Sequence, residues 1–464
     1  MEQTRKFTWK ELIVVASMLF GMYFGASNLT FPAQIGQQSG SAFISSIIGF
    51  IITGTILPLL GVAAIAITRT HGVYELAQPI GKAYALIFTV ILYIAIGPAF
   101  ATPRTATVPF EFGIATHVSA ATAPIWLFIY SAFFFTGVVL FSINRHKVVD
   151  YVGRYLNPAF IIMVVILIAV AIFKPMGTTA GQAVTGAWRN GSMTNGIIQG
   201  YQTMDALASV EFGIVVITAI KALGVKKEST VANLTVKAGI IAASAMALIY
   251  AGLAYIGATS LGHLKIANDG GIALGQITQY FFGNAGVYIL AIMATITCMT
   301  TAVGVTTSFA TAFSSMFPKF GYKTYVIIVS AISFVVSNFG FETIINAAVP
   351  FLMFIYPLCI TLILLSLASP LFHRARVVYI CTTIFTIVPA IVDGLNAAPA
   401  FIAKSAFVES LTSFESKYVP FFSQGFAWLT PAIIGFVIGI GIYIVQRIRA
   451  NSESSVSESD WSQN

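Results

Sequence analysis

Long apolar runs, each followed by a short charged or Gly/Pro-bearing stretch, recur from one end of the chain to the other. They fall at roughly 12–32, 43–67, 83–102, 123–142, 157–173, 196–220, 238–260, 285–313, 324–339, 344–372, 377–396 and 425–446. A helix that crosses the hydrocarbon core needs about 20 mostly apolar residues. The pattern therefore predicts an all-α polytopic membrane protein with about twelve transmembrane helices. Several runs exceed a straight crossing, which predicts tilt or breaks.

Composition agrees. Of 464 residues, 57% are hydrophobic and only 9% are Asp, Glu, Lys or Arg. Soluble domains carry roughly 25% charged residues. Such a chain needs lipid around it. The net charge of +8 would suit nucleic acid, but its distribution points elsewhere. With the N-terminus inside and the sides alternating, the inner segments hold 18 Lys and Arg, among them Arg5, Lys6, Arg145, Lys147 and Arg154. The outer segments hold 6. This is the bias that orients helices on insertion. It predicts a multi-pass membrane protein with both termini in the cytoplasm. Arg5, Lys6 and Lys10 before an apolar run imitate a signal peptide, but the run is too long and many spans follow. A single transmembrane domain is expected over 1–450, and a Ser- and acid-rich disordered tail over 451–464. Cys298, Cys359 and Cys381 fall inside predicted spans without C-x-x-C or metal spacing, and read as small apolar filler.

Function is sought where the helices are flawed, because broken backbone at membrane depth must line a cavity or contact protein. Span one contains Phe20-Gly21-Met22-Tyr23-Phe24-Gly25-Ala26-Ser27-Asn28-Leu29-Thr30-Phe31-Pro32. Gly21-x-x-x-Gly25 alone reads as a helix-packing face. Asn28 and the Phe31-Pro32 end favour a break. Span six contains Gly200-Tyr201-Gln202-Thr203-Met204-Asp205, with Glu211 six residues further on. Intramembrane carboxylates mark function by default. Asp205 reads equally as a cap where the helix unwinds, and Glu211 as a group facing a cytoplasmic vestibule. In span eight, Thr297, Thr300 and Thr301 stand at i, i+3 and i+4 and share a face. Their hydroxyls suit a small hard cation, or simply bond back to the i−4 carbonyls. Span three ends in Gly97-Pro98-Ala99-Phe100 and is followed by Arg104 and Glu111, a pair that suits an outer gate or, more simply, a surface pair that shapes a loop.

Spans one and six each open a group of five. Interrupted helices in corresponding positions point to two inverted repeats, at about 10–175 and 195–372, with extra helices at about 377–447.

At these motifs the chain resembles a known family. FGASNLTFP, GPAFATPRTATVPFEFG, GYQTMDALASVEFG and TCMTTAVG look like the strings of the bacterial branched-chain amino acid:cation symporters, the BrnQ-type carriers. The likeness runs from about Phe7 to the end of the twelfth span. That family is similar to the amino acid–polyamine–cation superfamily. The resemblance implies a LeuT-type 5+5 inverted repeat plus two C-terminal helices, and uptake of leucine, isoleucine and valine with Na⁺ or H⁺. Two positions depart from the pattern: Glu211 stands where an apolar residue is expected, and Ser27 where glycine is usual. They leave the coupling ion and substrate range open.

The mechanism implied is specific. The N–H groups near Gly25, Ala26, Ser27 and Asn28 would face the substrate's carboxylate from a helix N-terminus. Unpaired carbonyls near Met204 would take its ammonium, with Asp205 assisting. Tyr201, Met204 and Phe212 would enclose its side chain. A cation would bridge carbonyls near Gly21 and Phe24 to Thr297, Thr300 and Thr301. With H⁺ coupling instead, Asp205 or Glu211 would carry the proton. No cofactor, nucleic acid or obligatory protein partner is expected, only the solute, the coupling cation and the bilayer. A same-fold carrier of another solute is the alternative. A membrane enzyme or redox subunit is disfavoured because His71, His117, His146, His263 and His373 lie mostly in connections without metal spacing.

Overall fold

A computed structural model describes residues 7–143 and 157–461. Arg5, Lys6, Arg145, His146, Lys147 and Arg154 lie outside the described residues. Every regular element among the described residues is helical. The chain divides into two compact units, residues 1–66 with 90–348 and residues 67–89 with 349–464.

In the first unit, α1 (Trp9–Tyr23) opens on a capping box. The Glu11 N–H donates to the Thr8 hydroxyl at 3.3 Å, and the Thr8 N–H donates to the Glu11 carboxylate at 2.8 Å. Two orphan amides are thereby satisfied. The helix stops at Phe24, and α2 (Ala26–Ser39) starts afresh after Gly25. Pro32, expected to end the span, sits inside α2. It lies nearly two turns past the helix start, where it removes the bond to the Asn28 carbonyl and its ring crowds that carbonyl. The second passage is α3 (Phe43–Ile51), a π-helical turn at Ile52–Ile56 and α4 (Leu57–Thr68). The third is α5 (Lys82–Ile94), a π-helical turn at Ala95–Ala99 and α6 (Ala101–Gly113). Gly97 leaves helical geometry there, and Pro98 follows it.

Then come α7 (Ala123–Ile143) and α8 (Asn157–Phe173). The sixth passage is α9 (Ser192–Tyr201) and α10 (Asp205–Ala222), bent by 49°. It is followed by α11 (Glu228–Ser260), α12 (Gly270–Met316), α13 (Tyr322–Ser337) and α14 (Phe341–Ala368). Gly283, at φ 62°, breaks α12 ahead of the segment predicted as span eight. The second unit contains residues 82–89 of α5 and 349–368 of α14, with α15 (Arg376–Asn396), α16 (Ala406–Tyr418) and α17 (Leu429–Trp461), and α15 packs along α17. α17 continues through the stretch whose composition suggests disorder, up to Trp461. That extension prolongs the backbone hydrogen-bond ladder of an apolar span, which removes the cost of nucleating a helix.

Eight helices are long and apolar enough to cross a bilayer, and the α9–α10 pair makes a ninth. One of the eight, Ser27–Thr68, runs from α2 through α4; dividing it between passage one, with α1, and passage two, and adding the shorter helices α8 and α13, gives twelve passages among the described residues.

Two glycine contacts show how the unit is built. A Cβ on Gly36 of α2 would lie 2.0 Å from the Ala254 carbonyl of α11, and one on Gly257 would lie 2.1 Å from the Ala33 carbonyl. Likewise a Cβ on Gly49 of α3 would lie 2.0 Å from the Met193 carbonyl of α9, and one on Gly196 2.0 Å from the Ser46 carbonyl. Small residues let helix backbones meet this closely. The first contact joins passages one and seven, the second passages six and two. Exchanging one with six and two with seven turns each contact into the other, as an internal repeat requires.

Candidate functional site

The breaks in passages one and six meet. Gly25, the extended residue before α2, gives its N–H to Asn28 Oδ1 at 3.3 Å. Asn28 Nδ2 donates to Asp205 Oδ2 at 2.5 Å and also to the Tyr250 hydroxyl on α11. Asp205 is the first residue of α10, after Met204 in the left-handed region at φ 59°. Its carboxylate also accepts from Thr203 and Tyr250. Asn28 and Asp205 are both buried, at 2% and 4% exposure. One amide side chain therefore caps one broken helix and holds the carboxylate of the other.

A cavity of about 40 Å³ lies at this junction. Its wall includes Gly25, Ser27, Asn28, Met204, Asp205, Phe212 and Thr301, all singled out in the sequence. Met22, Tyr23, Ile96, Ala101, Thr105, Thr203, Ala208 and Val305 join them. That is more than the roughly 10–15 Å³ a water needs. Ala26 is the first residue of α2. Tyr201 is buried, but neither it nor Gly21, Phe24, Thr297 or Thr300 reaches the wall.

The three threonines behave differently. Thr301 Oγ1 lies 3.5 Å from where a Gly25 Cβ would stand, so it reaches the first break. It also points to the Thr297 carbonyl at 3.4 Å. Thr300 Oγ1 turns back to that carbonyl at 2.6 Å. Thr297 Oγ1 is buried without a hydrogen-bond partner.

Two sequence expectations need correction. Glu211 does not face a vestibule: it is 8% exposed and hydrogen-bonds Tyr93, at the end of α5. Arg104 is no surface residue: it is 1% exposed on α6, where its guanidinium donates to the backbone carbonyl of Gln202 at 2.9 Å. A second N–H donates to the Gln202 side-chain oxygen at 3.2 Å. The extension of passage three to Gly113 carries Arg104 inward. Tyr250 was missed altogether, since a lone Tyr in an apolar run gives no local signal.

Broken first and sixth helices that meet are the mark of a fold, the LeuT type. Two solved structures share this fold. Mhp1, a nucleobase-cation-symport-1 family transporter in a closed conformation with bromovinylhydantoin bound, matches with a TM-score of 0.57 and 14% identity, covering 93% of this chain and 91% of its own. MhsT in complex with L-phenylalanine matches with a TM-score of 0.57 and 15% identity, covering 93% and 98%.

The family follows from sequence. The family model for branched-chain amino acid transport proteins matches residues 8–446. The branched-chain amino acid permease BrnQ of Lactobacillus delbrueckii subsp. lactis is 39% identical over 93% of this chain and 97% of its own. BraB of Bacillus subtilis (strain 168) is 39% identical over 93% and 95%, and BrnQ of Escherichia coli (strain K12) 37% over 94% and 96%. The chain belongs to the branched-chain amino acid transport protein family. It is a multi-pass membrane transporter and not an enzyme.

Proposed function

We propose that this protein imports leucine, isoleucine and valine across the cytoplasmic membrane, coupled to Na⁺, by alternating access. The observation that carries the reading is the Asn28–Asp205 bridge between the two broken helices. The substrate's carboxylate meets the amides of Ala26, Ser27 and Asn28 in the first turn of α2, where helix geometry leaves N–H groups without partners. Its ammonium meets Asp205. Its branched side chain lies against Met204 and Phe212, with Ile96 and Val305 beyond. An apolar wall of this kind separates substrates by only about 1–3 kcal/mol per methylene, so the three amino acids compete. The names of the relatives support this substrate class.

The oxygens present suit a hard cation. In an unbroken helix the Gly25 N–H would serve the Gly21 carbonyl, but here it serves Asn28. That carbonyl, with Phe24's at the end of α1, is proposed to hold Na⁺ together with Thr301, Thr300 and the unpartnered Thr297 hydroxyl. Neutral oxygens favour such an ion over a transition metal. A cation bridging α1 and α12 stabilises the loaded arrangement selectively, and that differential contact is what coupling needs. A second reading, H⁺ coupling through Glu211, rests on its buried bond to Tyr93. On this reading both termini lie in the cytoplasm, which the excess of Lys and Arg in the inner segments supports.

The test is counterflow in proteoliposomes loaded with unlabelled leucine. Labelled leucine entry should be inhibited by isoleucine and valine and spared by lysine, glutamate and nucleobases. Equal inhibition by a nucleobase, or none by valine, would overturn the substrate assignment.

A further inference from the structure

We infer that Arg104 is a positioning residue of the transport site, fixing Gln202 so that the substrate's ammonium is left to Asp205 alone. The inference rests on reading the gap between the broken helices as the substrate site.

A guanidinium at membrane depth is costly unless its donors are satisfied within the protein. Arg104 is among the largest fully buried side chains. Two of its N–H groups hold both oxygens of a single residue, the Gln202 carbonyl at 2.9 Å and its Oε1 at 3.2 Å. Such a planar fork fixes orientation as well as distance. Gln202 is the residue that ends α9. A helix C-terminus leaves carbonyls without partners and carries partial negative charge. Here they are accounted for in turn. The carbonyls of Gln199, Gly200 and Tyr201 accept from the amides of Gln202, Thr203 and Met204. The next carbonyl, that of Gln202, accepts from Arg104.

Four carbonyls at this end thus have partners within the protein. The sequence motif had assigned this end to the ammonium. The acidic group on the cavity wall is Asp205. Ala101 and Thr105, on the same helix as Arg104, line the cavity, and α6 packs against α12, which bears Thr301. One helix therefore supplies part of the cavity wall and the clamp on the second break.

The test is leucine uptake by Arg104→Lys, Arg104→Gln and Gln202→Ala in proteoliposomes, each variant first shown monodisperse. Arg104→Lys, which keeps one contact, should raise KM about tenfold with maximal rate within about twofold of wild type, and Arg104→Gln should raise KM further. Gln202→Ala should raise KM less, and its effect should shrink in the Arg104→Lys background. Hydrogen exchange of the 200–205 amides should accelerate in all three variants. Wild-type KM in both Arg104 variants overturns the inference, as does strict additivity. Should Arg104→Gln not fold, Gln202→Ala decides, and wild-type KM with wild-type exchange overturns the inference. An altered Asp205→Asn beside unaltered Arg104 variants removes the inference and leaves the site standing. Unaltered uptake in Asp205→Asn removes the site reading itself.

Discussion

Replacing Asn28 with Ala strikes both breaks at once. The variant deletes the Nδ2 donor to Asp205 and Tyr250, and the Oδ1 acceptor of the Gly25 N–H. A hydrogen bond to a charged group contributes about 1.5–3 kcal/mol. A helix N-terminal cap contributes about 0.5–2 kcal/mol. Together they place about 2–5 kcal/mol at the junction. If half of that falls on the substrate-bound state, KM for leucine rises about 5- to 60-fold, since 1.4 kcal/mol is tenfold. The assay is initial-rate uptake of labelled leucine in proteoliposomes, with protein per vesicle measured. A second variant separates a local loss from general disruption. Asn28→Asp sets two carboxylates against each other, and like charges this close disfavour joint ionisation. Combining it with Asp205→Asn restores one amide and one carboxylate in exchanged positions. The double variant should recover part of the affinity that Asn28→Asp loses. Wild-type KM in Asn28→Ala, or no recovery on exchange, refutes the bridge as a functional contact.

Three further outcomes follow from separate parts of the structure. Thr301→Ala should reduce Na⁺ stimulation of uptake while leaving insertion intact, and unchanged Na⁺ activation would remove Thr301 from the cation site. Gly257→Ala should lower the melting temperature in detergent, because its Cβ would meet the Ala33 carbonyl at 2.1 Å, while Gly304→Ala, with nothing within 4 Å, should not. Equal melting temperatures would deny the close packing of α2 on α11. Burial, followed by the charge of Asp393, pushes the Glu415 carboxyl from 4.5 up to about 7. Between those values the folded chain holds a proton that the unfolded chain has lost, so stability is greatest on the acid side and falls as pH rises through about 7. Glu415→Gln should flatten the melting temperature between about pH 5 and 8, and an unchanged slope would assign it to other groups.

The spans were legible because lipid tolerates few charges and leaves the apolar runs almost unbroken. The breaks were legible for the same reason. Gly25, Ser27 and Asn28 in span one and Asp205 in span six violate the rule for a plain anchor, and the structure brings them to one cavity. Thr301 was legible from its spacing, and it does reach Gly25. Arg104 was misread because Glu111 offered a nearby partner of opposite sign. Its true partner, Gln202, lies 98 residues away, and no local pattern links them. Tyr250 was hidden for the same cause, 222 residues from Asn28. The helix before Gly283 was not legible because that stretch, with Gln276, Gln279 and Asn284, lies ahead of the run predicted as span eight and gives no spanning signal.

The central claim is that ion flow drives branched-chain amino acid uptake through this site. It is tested most directly by labelled leucine uptake into proteoliposomes under an inward Na⁺ gradient at equal pH, with an inward H⁺ gradient without Na⁺ as the parallel arm. The account predicts accumulation above the external concentration in the Na⁺ arm, abolished by a Na⁺ ionophore and by Asp205→Asn. Accumulation in the H⁺ arm alone would move the coupling to Glu211. Simple equilibration of leucine in both arms would contradict the symport mechanism.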